Sequence, residues 1–560
     1  MKTTLLSDTI STAFSVAFSA PHRLPMVAAL ASLLLLTACG DDKPKAPAAD
    51  AAQPAAATTT PAASSAATLN FGSMKDIEDI NPHLYAGEMS AQAMVFEALT
   101  KNTAEGVKPW LAKSWDLSPD GRVYTFHLRD DVKFTDGTPF TAEVVKKNVD
   151  AVMSRKEEHA WMDLVNAIEK NEVVDAHTWR LTLKTAYFPT LIELGLIRPF
   201  RFVSPKCIDE QQNVVCHVAT GPWILKERQI NQQATFVRND NYWGTKPKIA
   251  TVVWHVVPDA QTLYLALKKG DIDLVFGADG DQLSMEAMKA LEKEGHFQVL
   301  YSEPTASRAI IVNSSRPITH DAKVREALQY AVNRPAIVKD ILNGQEAEAK
   351  TLFAKNVPGC DVALNEKDYD PKKAEALLDE AGWVKGADGI RTKEGQRLTL
   401  LFSFDAENAQ EKTIAEAMQA DLAAVGIDMT IIGEDKQVYL DRQHKGEFDL
   451  EYSLSWGAPY DPQSFLSSWR EPTHGDYVAQ KGLPNKAEID KTITELLVTP
   501  DDAKRTPMVH KVLTMVHDAN VYIPISFSRT KAVAAPYVKG VGFELSQYEI
   551  PFDRMSIEKK

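Results

Sequence analysis

Ser118-Pro-Asp-Gly121-Arg-Val123-Tyr-Thr-Phe-His-Leu128 decides how the folded body is read. Pro and Gly stand where a tight turn needs a fixed φ and then a positive one, so Ser118–Gly121 is a predicted turn. The run Val123–Leu128 behind it alternates with period two, the pattern of a half-buried strand. Thr178-Trp-Arg-Leu-Thr-Leu183 repeats that pattern, and further strands are predicted over 250–257, 398–404 and 521–525. Between them the period changes. Val144, Val145, Val149 and Val152 recur at helical spacing behind the N-cap candidate Thr141. Asp370-Pro371 opens a second helix, with Ala374, Leu377, Leu378 and Ala381 on one face and Gly382 as its stop. Strands and helices are interleaved without an internal repeat, so the predicted fold class is α/β with mixed sheets.

The chain has 560 residues, 44% of them hydrophobic, which suffices for more than one core, since single cores stop growing near ~250–300 residues. A net charge of −14 gives nucleic acid no electrostatic foothold. Four cysteines are too few and too scattered for a disulfide scaffold or a Cys₄ metal site.

The N-terminus bears on the compartment. Lys2, His22 and Arg23 precede an apolar run of 13 residues, Met26 to Ala38. That length suits a signal peptide and falls short of the ~20 residues that span a bilayer. The run ends in Leu36-Thr37-Ala38-Cys39-Gly40, which is similar to a bacterial lipobox with Cys39 as the lipidated residue. The expected division is a leader over 1–38 and a tether over 39–67. The tether is rich in Ala, Pro and Thr and has too few large apolar side chains to offset its ordering entropy. The predicted location is the periplasm or cell envelope, with contact to membrane only through the anchor.

Longer stretches extend this reading. They are Asn81-Pro-His-Leu-Tyr85, Pro109-Trp-Leu-Ala-Lys-Ser-Trp115, Leu128-Arg-Asp-Asp-Val-Lys-Phe134, Thr220-Gly-Pro-Trp223, Asn241-Tyr-Trp243, Gly270-Asp-Ile-Asp273 and the run from Val324 to Asn333. In this order they resemble the solute-binding proteins, family 5, that serve peptide and nickel ABC importers. The resemblance covers nearly everything after residue 68. It implies a two-lobe clamshell, with lobe I over 68–305 plus 530–560 and lobe II over 306–529, and a ligand cleft between lobes. It also implies a non-enzymatic monomer that delivers its ligand to a permease and ATPase. His159-Ala-Trp161, Ile197-Arg-Pro-Phe-Arg-Phe202, Trp456-Gly-Ala-Pro-Tyr460-Asp-Pro462 and Phe465-Leu-Ser-Ser468 are most similar to the nickel-binding members. By that likeness Tyr85, Met89, Trp161, Arg198, Trp456 and Tyr460 line the cleft and His474 contacts the metal.

The residues themselves bear on this chemistry. Imidazole and carboxylate oxygens both suit Ni(II). None of the 13 histidines forms the close pairs of a self-sufficient metal site. The expected ligand is therefore Ni(II) held by a small carboxylate or histidine-type chelator, with Arg198 forking a carboxylate. Each residue has a plainer reading as well. His474 in Glu471-Pro-Thr-His reads as a surface-loop histidine, and Arg198 as the partner of a structural Asp or Glu. Trp456 and Tyr460 read as packing residues, and so does Met89 on the predicted helix Ser90–Leu99. One departure stands out: nickel-binding relatives carry a second arginine where Glu158 stands here. Either Arg155 or Lys156 reaches into the cleft, or that clamp is missing.

Cys207 and Cys216 can close a short loop and are expected to pair in an oxidising compartment, leaving Cys360. A soft-metal site from these three cysteines is the alternative. The rival ligands are a short peptide, haem and a cobalt or other metallophore. Peptide-binding relatives place an acid just after Trp-x-Ala, where this chain has Pro459, although Asp461 is near. No G-x-S-x-G, zincin or Walker A motif points to an enzyme.

Overall fold

Residues 67–558, apart from 278–282, 407 and 473, are described by a computed structural model. The leader, Cys39 and the tether to residue 66 lie outside the described residues. Among the described residues, eleven strands form one mixed sheet built on two long antiparallel strands, Gln298–Val312 and Tyr522–Ala534. Outward from Gln298–Val312 run Leu450–Leu454, Thr399–Asp405 and Asp428–Glu434. Outward from Tyr522–Ala534 run Leu274–Gly277, Thr68–Ser73, Thr251–Val256, Gln233–Arg238 and Trp223–Gln229. Thr68–Ser73 is parallel to both its neighbours, and so is Thr399–Asp405. The short strand Ala347–Glu348 pairs with Tyr522–Ala534 off this path.

The long pair is broken in register between Tyr301 and Ala306, opposite Arg529 and Lys531. Pro304 sits at that break, where it has no ladder hydrogen to donate. Gly457 packs there: it has φ +75, and a Cβ on it would come within 2.8 Å of the Thr305 carbonyl oxygen. Glycine lets the Trp456 loop seat on the strand break.

A separate four-stranded antiparallel sheet holds the quoted stretch, in the order Ala112–Leu117, Val123–Leu128, Thr178–Leu183, Ile168–Asp175. Tyr124, Phe126, Leu128, Trp179, Leu181 and Leu183 are all buried, so both alternating runs place their large side chains in one core. The helix Ala142–Ser154 adds Val144, Val145, Val149 and Val152 to it. Each such side chain contributes roughly 1.5–3 kcal/mol by leaving water. The predicted turn is present, with the Gly121 N–H donating to the Ser118 carbonyl at 2.9 Å. Pro371–Glu380 is the second predicted helix, capped by Asp370, whose side chain accepts from the Lys373 N–H.

Two expectations are corrected or extended, and the expected pairing of the cysteines is present. The helix predicted over 90–99 is Met89–Val95. It stops early because Glu97 turns inward and accepts from Trp110 Nε1, Tyr242 Oη, Thr220 Oγ1 and Trp243 Nε1 at 2.7–2.9 Å. A buried carboxylate must find such donors, and that need overrides helix propensity. The strand predicted over 521–525 continues to Ala534 through buried Ser526, Ser528, Thr530 and Lys531. Those polar residues hide its alternation, and Glu346 partners two of them, accepting from Ser526 Oγ at 2.6 Å and lying 3.6 Å from Lys531 Nζ. Cys207 and Cys216 form a disulfide with Cα atoms 4.9 Å apart, and Cys360 is buried and free, so the three cysteines do not form a soft-metal site.

Candidate functional site

Arg198 lies on a loop and donates from Nη1 to the carbonyl oxygens of Tyr85 (2.9 Å) and Gly87 (3.1 Å). Its guanidinium carbon stands 5.1 Å from the Tyr85 ring centroid. Among the described residues no carboxylate pairs with it, and its Nε and Nη2 hydrogens have no protein acceptor. Burial lowers its pKa, partly opposed by Tyr460, Tyr85 and Glu88. The structural-acid reading of Arg198 is therefore not realised here.

Tyr85 joins the wall made by His159 and Trp161. Trp161 Nε1 donates to Tyr85 Oη at 2.7 Å, and the same oxygen lies 2.7 Å from His159 Nδ1. His159 and Trp161 sit at the end of the segment behind the helix Ala142–Ser154. Met89 is the first residue of its helix, two positions past Gly87, and is half-buried.

The opposite wall comes from the loop on the strand break and from the segment between Phe465 and His474. Trp456 packs edge-on against Trp161 at 5.2 Å between ring centroids, Tyr460 at 6.1 Å, Phe465 at 5.7 Å and His474 at 5.8 Å. His474 immediately precedes the helix Gly475–Gln480. Its Nδ1 lies 3.1 Å from Asp476 Oδ2 without hydrogen-bond alignment, and among the described residues its Nε2 meets no protein partner. Asp476 is itself held, its Oδ1 accepting from Tyr522 Oη at 2.8 Å and Ser453 Oγ at 3.1 Å. Burial pushes the Tyr460 phenol up to about 12, so it stays protonated.

Tyr85, Trp161, Arg198, Trp456, Tyr460 and His474 are thus linked by direct contacts or one shared neighbour, although the chain brings them from four distant segments. Met89 stands at the edge of that set. Arg155 does not supply a second clamp: it pairs with Glu158 at 3.2 Å and donates to Asn213 Oδ1 at 2.5 Å. Lys156 is largely exposed beside Glu157. His159, Phe465 and Asp476 belong to the site and were not singled out from sequence. The first two stand inside quoted motifs, but nothing in spacing marks which way they point.

Asp461 is buried and committed to its own loop, accepting on Oδ2 from Ser455 Oγ (2.5 Å) and the Gly457 N–H (3.0 Å). Burial raises its pKa to about 7. Among the described residues no group of three or more His, Cys, Asp or Glu is placed to hold a metal ion. The site offers one imidazole nitrogen, one unpaired arginine fork and aromatic walls. Such a set can orient a small anionic or metal-bearing ligand without completing a coordination sphere.

The chain is 42% identical over 486 residues to the nickel-binding periplasmic protein of Escherichia coli K12, covering 86% of this chain and 93% of that protein. It is 27% identical to the dipeptide-binding protein of the same strain, over 88% of this chain and 95% of that one. The crystal structure of NikA from Brucella suis in complex with Fe(III)-EDTA superposes with a TM-score of 0.86 at 41% identity, covering 88% of this chain and all of that one. The fold is the α/β two-lobe fold of periplasmic binding proteins. No described helix is long and apolar enough to cross a membrane. Residues 106–477 match the model of the bacterial extracellular solute-binding proteins, family 5, and the chain belongs to that family.

Proposed function

We propose that this solute-binding protein captures nickel as a complex with a small carboxylate or histidine-type chelator. The observation that carries the reading is Arg198, a half-buried cation with an unpaired fork beside aromatic walls and one free imidazole nitrogen. An unpaired guanidinium in such a place suits a carboxylate from the ligand. The chelator supplies most metal ligands, His474 Nε2 adds one, and Trp161, Trp456 and Tyr460 exclude water. Tyr85 belongs to the wall with Trp161, and Met89 stands at its edge. Similarity to a nickel-binding periplasmic protein supports the choice of metal.

The lobes, 68–305 with 530–560 and 306–529, close by rotation at the register break of the long strands, a hinge motion that needs only a higher affinity in the closed state. The protein then passes its cargo, as a monomer anchored through lipidated Cys39, to an ABC permease and ATPase. A peptide reading would need an acid for the amine. Asp461 is already held by Ser455 and Gly457.

The test uses residues from about Asp41 onward, without the lipid, and monitors tryptophan fluorescence. Saturation by Ni(II) with L-histidine, and none by short peptides, is the expected result. Saturation by peptides with no response to nickel would overturn the proposal.

A further inference from the structure

His159 has no assigned role, yet it is fully buried beside the candidate site. Its neighbours bear on its proton pattern. An indole N–H only donates, so Trp161 Nε1, 2.7 Å from Tyr85 Oη, makes that oxygen an acceptor. The phenol has one proton of its own, and His159 Nδ1 lies 2.7 Å away to receive it. Burial keeps His159 neutral by lowering its pKa. A neutral ring that accepts the phenol proton at Nδ1 carries its own on Nε2, a buried atom without a partner among the described residues; the other tautomer, with Nδ1–H donating to Tyr85 Oη, is the alternative that the experiment below separates.

The consequence concerns the ligand. In the tautomer that accepts at Nδ1, both polar hydrogens of the Tyr85–Trp161 wall are used inside the protein, the Trp161 one on Tyr85 and the Tyr85 one on His159. The fork of Arg198 is the remaining donor on that wall. We propose that His159 is a positioning residue that sets ligand specificity: by accepting the Tyr85 proton it makes the wall receive one carboxylate, at Arg198, and offer no donor to a second. The proposal rests on the metal–chelator reading above and names the class of complex that site prefers, one presenting a single carboxylate to this wall.

The experiment compares binding of Ni(II)–bis(L-histidine) and Ni(II)–EDTA by the unsubstituted protein, His159→Leu, His159→Asn and His159→Leu/Tyr85→Phe. Leucine leaves the Tyr85 hydroxyl free to donate, so affinity should shift toward EDTA by roughly tenfold, the effect of one hydrogen bond to a charged acceptor. Asparagine, whose Oδ1 can accept in place of Nδ1, should restore the original ratio. The double variant should also restore it, because the hydroxyl is gone. A second readout needs no ligand: the Trp161 indole N–H resonance, assigned by its loss in Trp161→Phe, should move in His159→Leu and return in His159→Asn. Failure of the unsubstituted protein to bind either complex would sink the nickel reading. Binding with an unchanged ratio and an unmoved indole resonance in His159→Leu would overturn the role of His159 alone.

Discussion

Replacing Arg198 by lysine keeps the positive charge and removes the fork. In the structure Nη1 is engaged by the Tyr85 and Gly87 carbonyls at 2.9 and 3.1 Å, which leaves Nε and Nη2 for the ligand. A carboxylate docked there would receive two charge-assisted hydrogen bonds, each contributing roughly 1.5–3 kcal/mol. Lysine can supply one of them as a point charge. The expected loss is therefore about 1.5–3 kcal/mol, or roughly ten- to 150-fold in Kd for Ni(II) with excess L-histidine. The same change disturbs the geometry of the hydrogen bonds to the two carbonyls, so a small drop in Tm accompanies it. Isothermal titration at a temperature well below both melting points separates the two effects. A Kd within twofold of the unsubstituted value would refute the carboxylate role, whatever the Tm.

Three further outcomes are expected. Burial raises the pKa of Glu193 to about 8, with Asp163 adding to it and Tyr187, Ser464 and the Leu164 N–H opposing. A raised carboxyl contributes stability that is complete below its unfolded pKa, near ~4.5, and is lost as pH rises through 8. Glu193→Gln should thus flatten the fall of unfolding free energy between pH 5 and 8 by about 1.4 kcal/mol per pH unit, read from urea titrations; an unchanged slope would contradict it. Reducing Cys207–Cys216 reopens a short loop and should lower stability by about 2.5–3 kcal/mol on the loop-entropy estimate, seen as a lower urea midpoint with dithiothreitol. An unmoved midpoint would show that neighbouring contacts hold the loop alone. Asp461→Asn should leave the Kd for the nickel complex within twofold, since Asp461 serves its own loop; a tenfold loss would place it in the site.

The α/β class, the turn at Ser118–Gly121, both alternating strands and two helices were legible because each is a local pattern. Alternation in Val123–Leu128 and Thr178–Leu183 reports a buried face whatever that face meets, and Asp370-Pro371 caps a helix with its own side chain. Resemblance carried the choice of Arg198, Trp456 and His474, which no spacing in the chain would have joined. Local pattern failed where distant groups intervened. Glu97 ended its helix because four donors from residues 110 to 243 surround its carboxylate. The strand beyond Ile525 stayed hidden because its serines and lysine read as exposed until Glu346 covers them. Only the tertiary structure decided that Arg155 turns to Glu158 and Asn213, that Asp461 is held by its own loop, and that His159 Nδ1 lies within hydrogen-bond reach of the Tyr85 hydroxyl. Hydrogen bonds and ion pairs depend on direction over about 3 Å, and sequence distance carries no information on that scale.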